Sequence, residues 1–194
     1  MLSKIFYCML AYLSGSVLYA SLLGTMFGVD PRKAGADGNP GATNAFRAGG
    51  VTLGTPVLLL DFLKGFLPVF LFFEKAGPLQ PLLALAPVVG HVFPVFHRFQ
   101  GGKGIATTFG IWSALTYWVI PSVLGTTFSL FLVLKHFTGF TIPDHLGVMI
   151  GMLHASGWVA LLYRRLYLTI AFGNLALLLL AHRQEFKTKG ENHA

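Results

Sequence analysis

The tetrapeptide GGKG at 101–104 runs straight into the apolar stretch IATTFGIW, so glycines and one ammonium stand at the start of an expected helix. Backbone N–H groups and the helix dipole favour an anion at such a terminus, and Lys103 adds a compact full charge. The stretch is not a nucleotide-hydrolysing P-loop. That loop needs glycine five residues before the Gly-Lys pair and Ser or Thr after it, and here those positions hold His97 and Gly104.

A second polar stretch, Gly28 to Gly50, reads GVDPRKAGADGNPGATNAFRAGG between two apolar runs. A connection of that length is usually functional. Its glycines permit close approach of backbone N–H groups to an anion, Asn39, Thr43 and Asn44 add side-chain hydrogen bonds, and Arg47 offers a bidentate fork. On composition alone a solvated turn accounts for the stretch equally well. A third feature is Asp61 and Lys64, one helical turn apart inside VLLLDFLKGFLPVF. Either charge alone costs a few kcal/mol in hydrocarbon, so pairing inside a bundle is favoured over direct catalysis.

The elements that must hold these groups follow from composition. The 194 residues are 54% hydrophobic and 11% charged, with mean hydropathy +0.67, whereas a soluble domain carries charge on about a quarter of its residues. The chain reads as an all-α, polytopic membrane helix bundle forming one domain over 1–194. Apolar runs fall at 5–27, 51–73, 79–96, 105–120, 122–134, 146–163 and 166–180. Several are shorter than the roughly 20 residues of a perpendicular crossing and must tilt or thin the bilayer. The first is long for the apolar core of a signal peptide and lacks a small-residue cleavage site, so it reads as a retained helix.

Pro121 leaves 105–134 readable as a hairpin or as one kinked helix. With seven spans, one side receives Arg32, Lys33, Arg47, Arg98, Lys103, Lys135, Arg183, Lys187 and Lys189, and the other only Lys4, Lys75, Arg164 and Arg165. The positive-inside rule therefore favours seven spans, with the N-terminus outside and the C-terminus cytoplasmic. The net charge of +7 suits anionic headgroups or phosphorylated metabolites. Nucleic acid is disfavoured because the aromatic residues lie inside the apolar runs. The single cysteine, Cys8, allows no internal disulfide and reads as a small core residue.

Taken together, DPRK at 30–33, GNPGATNAFRAGG at 38–50, DFLKG at 61–65 and GHVFPVFHRFQGGKGIATTFG at 90–110 resemble the bacterial acyl-phosphate:glycerol-3-phosphate acyltransferase family, in the family's order and spacing. The resemblance implies transfer of a fatty acyl group from acyl phosphate to the sn-1 hydroxyl of glycerol 3-phosphate. It implies membrane lipids and these two substrates as partners, with no cofactor and no metal. The histidines at 91, 97, 136, 145 and 154 lack a regular ligand spacing in any case. Carried over by position, Gly38, Asn39, Gly41, Thr43, Asn44 and Arg47 would line one phosphate site. Gly101, Gly102, Lys103, Gly104 and Thr107 would hold the second, with His91 close by as either a structural histidine or a catalytic acid or base.

The chain departs from the family in two places. GADGN at 35–39 puts Asp37 where the family has serine, and a carboxylate there repels phosphate unless Arg32, Lys33 or Arg47 pairs with it or it acts as a base. The stretch TGFTIPDHLGVMIGM lacks the family's serine, and in the tail HRQEFKTKGENHA Glu185 stands where asparagine is expected, while His182, Arg183, Lys187, Gly190 and Glu191 persist. These departures leave a rival reading, a relative that binds phosphate-bearing lipids without transfer chemistry. A small anion transporter is disfavoured, since the polar motifs sit in loops on one side and not at broken helices in the midplane.

Overall fold

The computed structural model describes residues 1–186, apart from the side chain of Asp144; the tail positions Lys187, Lys189, Gly190 and Glu191 lie outside them. The helices are α1 (Leu2–Ser16), α2 (Tyr19–Met26), α3 (Ala42–Ala76), α4 (Gln80–Val92), α5 (Ile105–Thr116), α6 (Val119–Thr138), α7 (Asp144–Leu162) and α8 (Arg165–Ala181), with no strand among the described residues. They divide into two compact units, Met1–Leu115 and Thr116–Ala194. The run from α3 through α4 is long and apolar enough to cross a membrane. Helices α6 and α7 each suffice for one crossing, α1 and α2 are long and apolar enough only as a pair, bent by 44°, and α5 and α8 are shorter apolar helices. The outward side chains of α3 include Leu59, Leu67, Phe70 and Leu71, the surface hydrocarbon tolerates and water does not.

Each of the seven apolar runs contains helix, but three details differ from expectation. The first run breaks at Val17, which is extended and directly follows Ser14-Gly15-Ser16. Part of the polar stretch is helical: α3 starts at Ala42 and is interrupted at Gly49 and Gly50, where Gly50 has φ +61. The break between α5 and α6 falls at Tyr117, with φ +47, and not at Pro121. Pro121 sits in the first turn of α6, where a missing N–H removes no intrahelical bond.

In the first unit α1 packs on α4 and α3, and α3 also contacts α2 and α4. Glycines set the closest crossings. A methyl group at Gly15 would meet the Pro87 backbone, one at Gly90 would meet the Tyr12 carbonyl, and one at Gly110 would meet the Phe62 carbonyl. In the second unit α7 packs on α6 and α8. His154 of α7 accepts from Trp158 Nε1 at 3.1 Å through Nε2, so its Nδ1 carries the hydrogen and donates to Thr127 Oγ1 at 2.9 Å. His145 Nδ1 lies 3.4 Å from Glu185 Oε2, which gives the departing carboxylate a local partner.

Asp61 and Lys64 pair as expected, with Nζ 2.7 Å from Oδ1, and both are buried inside the first unit. Lys64 Nζ also donates to the Val17 carbonyl at 2.6 Å, the backbone group that the break in the first span leaves without an intrahelical donor. Lys64→Met is expected to leave Asp61 uncompensated and to cost about 3–5 kcal/mol of stability. The double substitution Asp61→Asn with Lys64→Met should cost clearly less. Unfolding of the purified protein in mixed micelles checks this, and equal losses in the single and double variants would show that the pair is not coupled.

Candidate functional site

The first loop begins with a turn that its sequence specifies locally. Asp30 caps the single 3-10 turn Pro31–Lys33 by accepting from Arg32 N at 3.1 Å, with proline at the first position. The Arg32 guanidinium then reaches the Gln100 carbonyl in the second loop at 2.9 Å. Beyond it, Gly38 at φ +59 turns the chain so that Asp37 and Asn39 converge. Asp37 Oδ1 accepts from Asn39 N at 3.3 Å and from Asn44 Nδ2 at 2.8 Å. The same Asn44 nitrogen donates to Asn39 O at 2.9 Å, and Asn44 Oδ1 accepts from Arg47 at 2.9 Å. The Asn44 amide is therefore spent on holding Asp37, Asn39 and Arg47 in one arrangement.

The two loops meet at Asp37 Oδ2 and Lys103 Nζ, 2.7 Å apart. The partner of Asp37 is thus a cation of the other loop, not Arg32, Lys33 or Arg47 as the sequence suggests. Gly102 N donates to the His91 carbonyl at 3.0 Å, and a methyl group at Gly102 would fall on the His91 ring and the Asn39 side chain. Gly101 is packed on the His91 carbonyl in the same way. Gly104, at φ +77, delivers the chain into α5, whose Thr108 N donates to its carbonyl at 2.8 Å. His91 is buried, its Nδ1 3.9 Å from Asp61 Oδ1, so it lies between the α3 ion pair and the glycine loop.

Most of the expected residues come together. Asp37, Gly38, Asn39, Asn44, Arg47, Gly101, Gly102, Lys103 and His91 share one cluster, and Gly41 and Thr43 stand at the start of α3, which no side chain caps. Its first-turn N–H groups have no intrahelical acceptor. Thr107 is the exception: it is buried and donates to the Asp61 carbonyl at 3.0 Å, so its hydroxyl proton is committed to the α3–α5 seam. Gln100 and Gly35, where a side chain would collide with Asn44, are the parts of the cluster that sequence reasoning did not single out, and Arg32, offered by the sequence as a partner for Asp37, instead holds the Gln100 carbonyl.

Burial alone would raise the Asp37 carboxyl. Hydrogen bonds from Lys103 and Asn44, the Lys103 charge and the Asn39 amide outweigh it and bring the group down to about 2. At neutral pH such a carboxylate is a hydrogen-bond acceptor and a poor base.

Helices with lipid-compatible surfaces, joined by two glycine-rich loops that gather Arg47, Lys103 and an uncapped helix start, define a membrane protein with a basic, polar loop cluster. The family description "Glycerol-3-phosphate acyltransferase" matches residues 5–189. A glycerol-3-phosphate acyltransferase of Thermotoga maritima is 38% identical over 188 residues, 91% of this chain and 92% of that protein. One from Pasteurella multocida is 47% identical over 135 residues, 68% of this chain and 67% of that protein. The crystal structure of PlsY, an integral membrane glycerol 3-phosphate acyltransferase, in its glycerol 3-phosphate form matches with TM-score 0.80 and 32% identity, over 98% of this chain and 93% of that one. The lysophosphatidic acid form matches with the same TM-score and 31% identity. The chain belongs to the glycerol-3-phosphate acyltransferase family, and it is a multi-pass membrane acyltransferase.

The sign of the Asp37 effect follows from its lowered value. The stabilisation from the Asp37–Lys103 contact is fully present above the ordinary carboxylate value of 3.8 and is lost as pH falls toward about 2. A carboxyl-carbon NMR titration of selectively labelled protein should therefore place the Asp37 midpoint near 2, and Lys103→Met should move it upward. A midpoint at or above 3.8 in the unsubstituted protein would contradict the contact.

Proposed function

We propose that the protein transfers a fatty acyl group from acyl phosphate to the sn-1 hydroxyl of glycerol 3-phosphate, forming lysophosphatidate at the cytoplasmic face. The observation that carries this reading is the clasp of two phosphate-suited loops through Asp37 and Lys103, beside Arg47. In the reaction the hydroxyl oxygen bonds to the acyl carbonyl carbon, the bond from that carbon to the phosphate oxygen breaks, and the departing phosphate takes the hydroxyl proton. Acyl phosphate is already an activated mixed anhydride, so no covalent nucleophile is required. The protein contributes position and charge, the two effects that suit such a step.

In this reading Arg47 binds one phosphate with charge-assisted bonds and Lys103 neutralises the other. The glycines 38, 41, 101, 102 and 104 let the backbone approach, and Thr43 adds a hydroxyl at the first turn of α3. Asn39 and Asn44 hold the loop. Asp37 acts by positioning Lys103 and Asn44, since a carboxylate near 2 has little affinity for a proton at working pH.

Arg47→Lys is expected to raise the KM for a phosphate substrate, and Arg47→Ala to lower kcat/KM by 100-fold or more, about 3 kcal/mol, with thermal stability kept. Asp37→Asn should lower kcat without moving the acid limb of the pH profile. Loss of that limb would instead make Asp37 the base. The assay supplies palmitoyl phosphate and glycerol 3-phosphate to the purified protein and follows lysophosphatidate and phosphate release together. Wild-type activity in both Arg47 variants would remove Arg47 from the site.

The cytoplasmic placement rests on nine basic residues against four on the two sides of a seven-span arrangement. A C-terminal fluorescent reporter that matures only in the cytoplasm should be bright in cells. A C-terminal reporter active only outside would reverse the orientation.

A further inference from the structure

A cleft of about 530 Å³ opens between α2, the Asp30–Arg32 corner and residues 96–100. Asp37, Arg47 and Lys103 do not line it. Arg32 and Arg98 line it against a single acidic residue, Asp30, which leaves its lining net positive. A second hollow of about 380 Å³ shares Ser21, Thr25, Phe96 and His97 with it and continues over Val17, Leu18 and Leu22, an almost wholly apolar floor. The two together have the shape of an amphiphile: a cationic opening for an anion and an apolar slot behind it.

Two further observations mark the opening. Arg98 and Phe99 are consecutive non-glycine residues at φ 52 and 60, a conformation that a loop does not adopt without compensation. It is held by Phe99 N donating to Pro94 O at 2.9 Å and Gln100 N donating to His97 O at 3.0 Å. His97 lines both hollows and joins the polar opening to the apolar slot. The neighbouring side chains of Met26, Phe96 and Phe99 are exposed, so the opening faces surroundings that accept apolar surface.

We propose that this cleft binds an anionic membrane phospholipid, its phosphate at Arg32 and Arg98 and the start of an acyl chain over Val17, Leu18 and Leu22. Charge complementarity selects the anionic headgroup, and the apolar floor selects a lipid over a free phosphate. The cleft shares Arg32 and Gln100 with the loop cluster but none of Asp37, Arg47 and Lys103, the groups assigned to transfer, so its occupancy does not depend on that assignment.

Native mass spectrometry of the protein released from nanodiscs of equal phosphatidylglycerol and phosphatidylcholine tests this directly. The unsubstituted protein should retain one phosphatidylglycerol per chain in preference to phosphatidylcholine. Arg98→Gln should lower that preference about fivefold, as expected for one basic side chain at a lipid surface, and Arg98→Lys should restore most of it. Thr25→Trp, which fills the wall common to both hollows, should reduce retention of both lipids, whereas diffuse surface charge would leave it unchanged. Equal retention of the two lipids by the unsubstituted protein, an unchanged preference in Arg98→Gln, or displacement of the bound lipid by millimolar inorganic phosphate would each overturn the proposal.

Discussion

Lys64 is held by two groups that the apolar interior would otherwise leave unsatisfied. Its ammonium lies 2.7 Å from Asp61 Oδ1 and 2.6 Å from the Val17 carbonyl, and its own carbonyl accepts from Ser14 at 3.1 Å. An unpaired charge or carbonyl in a low-dielectric interior is costly, so each of these contacts makes the others necessary. Asp61 extends the chain of dependence by accepting at its backbone from Thr107 in α5. Gly65 beside it has no room for a side chain against the Thr107 backbone. The first span, α3 and α5 are thereby fixed around one ion pair. Since α3 carries Asn44 and Arg47 on its first turns and α5 begins just after Lys103, the same pair sets where the two loops can meet.

His91 connects that buried pair to the loops. Its ring faces Asp61 on one side and covers Gly102 on the other, while its carbonyl holds the Gly102 amide. A side chain at 101 or 102 would push the second loop off α4 and away from Asp37. The glycines of GGKG therefore have two separate reasons to be glycine. Gly101 and Gly102 answer a packing limit, and Gly104 answers a left-handed backbone at the entry to α5.

Much of this was legible in the sequence, and what was missed has identifiable causes. The apolar runs were readable because hydrocarbon demands an uninterrupted apolar surface, and the Asp61–Lys64 pairing because a lone charge there is untenable. The break at Val17 follows Ser14-Gly15-Ser16, a weak local signal beside proline, and the carbonyl it frees is taken by a lysine 47 positions away. The break at Tyr117 was drawn toward Pro121, since proline is the stronger local signal, although a first-turn proline is compatible with a helix. Thr107 was assigned to phosphate by its place in the motif, but its partner is a backbone carbonyl that no side-chain pattern reveals. Asp37 was correctly expected to need a cation. The cation came from the second loop because Gly38 turns the carboxylate across the gap and not back along its own strand of chain.

That geometry explains how a carboxylate can stand beside a site proposed for two dianionic substrates. Asp37 occupies one donor direction of the Lys103 ammonium. The two opposite charges at 2.7 Å largely cancel at a distance. An approaching phosphate then meets chiefly Arg47 and the uncapped start of α3, both of which attract it. The carboxylate in turn holds Lys103 and Asn44 in place before substrate arrives, work that a neutral serine could do only through weaker hydrogen bonds. The cost falls on affinity, because the field at Lys103 is partly spent inside the protein. The gain is a site ordered in advance, and a reaction that relies on positioning and not on a nucleophile benefits directly from that order.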